Sequence, residues 1–117
     1  MIKLYGIPNC DTVKRARAWL NEAEVAHEFI DFKKAGVPAQ ELTLWLECLG
    51  WEKVLNRSGT TWRKLDEATR ASVVDASSAA RLMQAQPSVI KRPVVQWNDG
   101  VCSVGFSAEL FRERLIA

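Results

Sequence analysis

The stretch Tyr5-Gly6-Ile7-Pro8-Asn9-Cys10-Asp11-Thr12-Val13-Lys14-Arg15 decides how this chain folds. Before it, Ile2-Lys3-Leu4-Tyr5 alternates apolar and polar residues as a strand does. After it, Asp11 to Glu24 is compatible with a helix. Gly6, Pro8 and Asn9 supply the turn chemistry between the two. Cys10 thus stands at a strand-to-helix junction, where the first turn of a helix leaves N–H groups unpaired and the dipole's positive end favours a negative charge. A thiol held there is expected to ionise near neutral pH, with Lys14 and Arg15 adding positive potential. The alternative for such a cysteine is burial as a small core residue, which flanking Pro8, Asn9 and Asp11 make less natural.

Working outward, Val13, Ala16 and Leu20 recur at helical spacing with Trp19 beside them. A second strand-like run, Val25 to Phe32, follows. Strand, helix and strand make a βαβ unit with parallel strands, and Cys10 falls at the C-terminal end of the first, where open α/β sheets commonly bind ligands. Lys33 to Pro38 reads as a loop, with Pro38 in the first turn of the next helix. That helix carries Leu42, Trp45, Leu46 and Leu49 at i, i+3, i+4 and i+7, stops at Gly50, and includes Cys48 as a packing residue.

Residues 51–65 show weak periodicity and read as a helical turn, a loop over Asn56 to Thr61, and another turn. Either Asp75 or Ser77 suits the cap of a helix running to about Gln86, with Ala79, Leu82 and Met83 inward and Pro87 ending it. The last third pairs Arg92–Trp97 with Val101–Phe106 across an Asn98-Asp99-Gly100 turn, an antiparallel hairpin. Alternation groups Cys102 with Val104 and Phe106 on one face and makes Cys102 a packed strand residue. Ser107 suits the cap of a final helix with Leu110, Phe111 and Leu115 on its apolar face. The sum is βαβ, a helical insertion at about 38–86, and ββα: an α/β thioredoxin-like fold with a mixed four-stranded sheet, forming a single domain over 1–117.

Bulk properties bound the function. With 117 residues the chain can bury a core without disulfide staples. Its composition, 48% hydrophobic and 26% charged, is that of a folded domain and too apolar for disorder. A net charge of +2 without any basic block argues against nucleic acid as the main partner. No apolar run approaches the roughly 20 residues of a membrane span, and the N-terminus lacks a signal peptide's order, so a cytoplasmic protein without a membrane partner is expected. Cys10, Cys48 and Cys102 are too widely spaced for a disulfide framework or zinc site, and with His27 the only histidine, no metal is expected. His27 itself lies in an apolar strand and reads as structural.

Three blocks in the same order as in a known family now bear on the site: Tyr-Gly-Ile-Pro-Asn-Cys-Asp-Thr-Val at 5–13, Leu-Asn-Arg-Ser-Gly-Thr-Thr-Trp-Arg-Lys-Leu at 55–65, and Pro-Ser-Val-Ile-Lys-Arg-Pro-Val-Val at 87–95. The chain resembles the ArsC/Spx group of thioredoxin-like proteins over nearly its whole length, most closely the YffB-like members. The resemblance implies that Cys10 is a nucleophile and that Arg57 and Arg92 match positions that bind an oxyanion and hold the thiolate. It also implies that Pro93 is the cis-proline beside the cysteine. A guanidinium's fixed fork suits a thiolate, an oxyanion or the carboxylates of a glutathione-like ligand. Arg92 is further restricted to extended backbone by Pro93. From the residues alone, Arg57 reads equally well as a solvated loop charge.

The pattern also departs from parts of that group. Val13 stands where redox-switch members carry the second cysteine of Cys-x-x-Cys. A disulfide needs Cα atoms within about 7 Å, and nothing in the sequence brings Cys48 or Cys102 that close to Cys10. Gly6 replaces a histidine found shortly before the cysteine in arsenate reductases, and residues 103–106 lack their third arginine. The expectation is a monomeric monothiol reductase without a bound cofactor, using glutathione or another small thiol as co-substrate, with glutaredoxin as a further candidate partner. Cys10, Arg92 and Arg57 are its expected catalytic residues, and Asn9, Asp11, Thr12, Lys14 and Pro93 its expected thiol-binding residues. Arsenate reduction by the same nucleophile is one alternative. An Spx-like regulator that binds RNA polymerase is the other.

Overall fold

Apolar alternation at the N-terminus becomes one of the two inner strands of a four-stranded sheet in the computed structural model, which describes residues 1–116. β1 (Ile2–Gly6) pairs in parallel with β2 (His27–Asp31), placing Leu4 opposite Phe29 and Gly6 opposite Asp31. On its other side β1 pairs antiparallel with β3 (Val94–Gln96), and β3 pairs antiparallel with β4 (Cys102–Val104). The order β2-β1-β3-β4 gives the expected mixed sheet of a thioredoxin-like fold. The turn between β3 and β4 matches its sequence signal: Gly100 takes a φ of +84°, open to glycine without steric cost, while the Asp99 carboxylate accepts the Val101 N–H at 3.0 Å.

The described chain divides into two compact units, Met1–Phe32 with the chain from Arg92 onward, and Lys33–Lys91. The first holds the sheet, α1 (Asp11–Glu22) and the last helix. Its core joins Ile2, Leu4, Val13, Ala16, Leu20, Val95, Trp97 and Phe111. Phe111, fully buried, receives Trp19, Trp97 and Phe106 edge-on at 5.7, 4.9 and 4.8 Å between ring centres. Such pairs contribute about 0.5–1.5 kcal/mol each beyond area burial. Trp97 also donates its indole N–H to the buried Ser103 hydroxyl at 2.9 Å, which removes the cost of burying that donor.

In the second unit, α2 (Phe32–Ala35) begins at the boundary and is followed by α3 (Ala39–Leu49), α4 (Trp51–Val54), α5 (Thr60–Lys64), α6 (Glu67–Ala71) and α7 (Ala76–Ala85). A short 3-10 turn at Pro87–Val89 closes it, and Leu55 and Ile90 form an antiparallel bridge. Asp75, not Ser77, caps α7: its carboxylate accepts the Ser78 N–H at 2.8 Å, and the Ser78 hydroxyl accepts the Asp75 N–H at 3.1 Å. In the first unit Ser107 accepts the Leu110 N–H at 3.0 Å and opens the terminal helix α8 (Ala108–Ile116).

Several local expectations need correction. α1 stops at Glu22 because Glu24 adopts a φ of +58°, and the N–H groups of Glu24 and Val25 bond back to Asn21 and Leu20 at 3.1 and 2.9 Å. This is the six-residue closure usually built on glycine. Cys48 is exposed, because α3 buries Leu42 and Trp45 and turns the Leu44/Cys48 ridge outward. Leu115 is 39% exposed; the burial of α8 is carried by Phe111. Pro38 is the cap of α3 rather than part of its first turn. Phe32–Ala35 and Glu67–Ala71 are helical although the sequence showed no helical period there, each being too short to display one.

Candidate functional site

Cys10 is the N-cap of α1. Its backbone is extended (φ −132°, ψ 123°), and its carbonyl accepts the first helical hydrogen bond, from the Lys14 N–H at 2.9 Å. The chain leaves β1 at Gly6 and passes through a turn at Pro8 and Asn9, both exposed, before reaching Cys10, which is half-buried. Cys10 thus packs partly against the core cluster and is partly exposed. The Cys10 side chain makes no cap hydrogen bond of ordinary geometry, yet the first-turn N–H groups of Val13 and Thr12 favour its charged form.

Partial burial opposes ionisation, yet the thiol's pKa is lowered on balance. The largest favourable contribution is the backbone N–H of Val13, followed by a hydrogen bond from the Arg92 side chain, the Arg92 charge, and the N–H of Thr12. Arg92 reaches this position from the start of β3 through a cis peptide bond to Pro93. Pro93 is buried, and its carbonyl accepts the Gly105 N–H at 2.9 Å. A partly exposed cysteine at a helix N-terminus, with a guanidinium beside it, has the microenvironment of a reactive thiolate.

The first unit thus contains Asn9, Cys10, Asp11, Thr12, Lys14, Arg92 and Pro93. Arg92 and Thr12 act on the sulfur, Thr12 through its backbone. Lys14 and Arg15 are exposed, and neither is among the groups that lower the Cys10 pKa, so the expected help from these two cations gives way to Arg92. Asp11 is exposed in the first turn, where a carboxylate favours the helix dipole. Arg57 lies in the second unit on an exposed loop, its guanidinium 5.3 Å from the centre of the Trp51 ring. That separation is within the range of a cation–π contact. The loop is shaped by the Asn56 side chain, which accepts the Ser58 N–H at 3.2 Å. The contributor that residue-type reasoning missed is Val13, whose part is played by a backbone N–H. Its signal was positional: with cysteine as N-cap, the third helical residue supplies the donor.

Among the described residues no group of three or more His, Cys, Asp or Glu side chains is arranged to hold a metal ion, and no helix is long and apolar enough to cross a membrane. The His27 ring nitrogen Nδ1 lies 2.9 Å from the Val25 carbonyl, a local backbone contact.

Comparison with known proteins places these features in a family. A model of the ArsC family matches residues 5–114. A solved protein named YffB is 48% identical, with a TM-score of 0.92 over 98% of this chain and 99% of that one. An arsenate reductase (ArsC) related protein from Brucella melitensis is 46% identical, with a TM-score of 0.75 over 99% of this chain and 95% of that one. An uncharacterised protein of Haemophilus influenzae is 37% identical over 96% of both chains. With a mixed thioredoxin-like sheet, a cysteine opening α1 and a family match across nearly all its length, this chain belongs to the ArsC family.

Proposed function

We propose that the protein is a thiol-dependent oxidoreductase in which Cys10 is the sole nucleophile and an external thiol, glutathione by preference, completes the cycle. The observation that carries this reading is the lowered pKa of a solvent-reachable Cys10, held by the Val13 N–H and Arg92. The Cys10 thiolate attacks one sulfur of a disulfide, forming a Cys10 mixed disulfide while the other sulfur leaves as a thiolate and takes up a proton. A thiolate of the external thiol then attacks the sulfur bound to Cys10. A new disulfide departs and Cys10 is again a thiolate, so the two electrons come from thiols in solution. Val13 at the third position after Cys10 leaves no neighbouring cysteine to act instead.

Arg92 stabilises the thiolate both before attack and as leaving group, and the first-turn N–H groups add fixed positive potential that needs no reorganisation. Asn9, Asp11, Thr12, Lys14 and Pro93 are proposed to line the approach of the thiol. For Arg57 the proposal is a contribution to holding an anionic ligand. The reading treats the chain as one thioredoxin-like domain carrying an inserted helical region.

Treating the protein with glutathione disulfide and mapping adducts by mass spectrometry tests this directly. A glutathionyl adduct on Cys10, released by reduced glutathione, is the expected result. Modification of Cys48 with Cys10 untouched would remove the nucleophile from the scheme. Arsenate reduction is a second reading, favoured by the 46% identity to the arsenate reductase related protein. It requires arsenate-dependent oxidation of glutathione that disappears in Cys10→Ser.

A further inference from the structure

Gly6 ends β1, is buried and faces Val13 of α1. A methyl group built on Gly6 would stand 2.8 Å from one Val13 methyl and 3.3 Å from the other. Two non-bonded carbons sit comfortably only at about 3.5–4.0 Å. Val13 is fully buried in the core with Leu4, Ala16, Leu20 and Phe111, so its side chain has no solvent to swing into. It is also β-branched, and in a helix such a side chain is held near one rotamer. Both methyls already face Gly6, so moving one to another staggered position leaves the other on the same side. The strain of a larger residue at position 6 would therefore pass into the start of α1.

That start carries the chemistry. Val13 is the third residue of the helix, and its own backbone N–H and that of Thr12 are the donors that serve Cys10. The contact that seats the Val13 side chain on β1 thus fixes, through one rigid residue, the aim of the N–H beside the sulfur.

We propose that Gly6 and Val13 form a positioning pair, in which the missing side chain of Gly6 lets the Val13 side chain seat against β1 and so aims the Val13 and Thr12 N–H groups at Cys10 Sγ. The inference rests on the reading of Cys10 as the nucleophile and explains why a residue without a side chain suits position 6. An exact match of steric partners matters most where a donor must be placed to within tenths of an ångström.

A double-variant cycle on the rate of Cys10 alkylation by iodoacetamide across pH tests the pair. Gly6→Ala is expected to move the Cys10 profile to higher pH and to slow alkylation at pH 7 severalfold. Val13→Ala, which removes the stop that seats the helix, is expected to shift it in the same direction. The Gly6→Ala/Val13→Ala protein, with a methyl returned to the vacated space, is expected to recover most of the wild-type profile. Should Gly6→Ala fail to fold, Val13→Ala and the double variant still measure the recovery. Folded single variants with the wild-type profile, or a double variant no closer to wild type than Val13→Ala, would overturn the pair. A wild-type Cys10 that forms a glutathione adduct while its profile ignores position 6 would sink only this inference; a wild-type Cys10 that forms none would sink the functional reading beneath it.

Discussion

α1 and α7 begin with the same physical problem and treat it differently. Each helix exposes first-turn N–H groups that attract negative charge. At α7, Asp75 brings a permanent carboxylate, closes a reciprocal pair of hydrogen bonds with Ser78, and uses the field to hold the helix. Its pKa is lowered by the Ser78 N–H first and the Ser78 hydroxyl second. At α1 the residue in the same place is Cys10, whose side chain closes no such cap and whose charged form the Val13 and Thr12 N–H groups favour. The lesson is that a helix start can be spent on stability or kept for chemistry, and the choice turns on one side chain.

Exchanging the choice should give the largest effect. Cys10→Ser is expected to abolish thiol exchange, measured as loss of the glutathione adduct, while offering the helix a conventional hydroxyl cap on a backbone already extended at that position. The sign of the stability change depends on pH. A lowered thiol pKa stabilises the fold fully above the unfolded value, and this contribution is lost as pH falls through the folded one. Urea unfolding below the Cys10 pKa should therefore show the serine protein more stable, by up to about 1 kcal/mol. An equally stable or weaker variant there would mean that the start of α1 gains nothing from a hydroxyl cap.

The reciprocal change is smaller. Asp75→Ala should weaken α7, seen as faster amide exchange in residues 76–85 and a lower urea midpoint at neutral pH, with Cys10 alkylation unaltered. The Asp75 contribution is present above the ordinary carboxylate pKa and disappears as pH falls through its lowered value, so the difference from wild type should close in acid. A difference that persists there would place the loss in packing rather than in the charged cap.

What the sequence made legible follows the range of the interactions. β1, α1 and the β3–β4 turn were readable because alternation, helical spacing and Asp99-Gly100 act within a few residues. Asp75 was readable as one of two caps, and geometry chose it over Ser77. The closure at Glu24 was hidden because glutamate rarely takes a left-handed φ, and the outward turn of Cys48 because an apolar helix offers more than one face to bury. At the site, Cys10 and its helix were local and visible. Arg92 lies 82 positions further on and was tied to the cysteine by family resemblance, not by any local pattern. The Val13 N–H had no letter of its own, since a backbone donor belongs to every residue but proline.

Alkylation of Cys10 and Cys48 followed by mass spectrometry in the same samples across pH is the most direct test, with Arg92→Ala alongside. Cys10 should ionise below the free-thiol value of about 8.5, react faster than Cys48 at pH 7, and shift to higher pH when Arg92 is lost. A Cys10 that reacts no faster than Cys48, with a profile indifferent to Arg92, would contradict the claim that the start of α1 holds a thiolate.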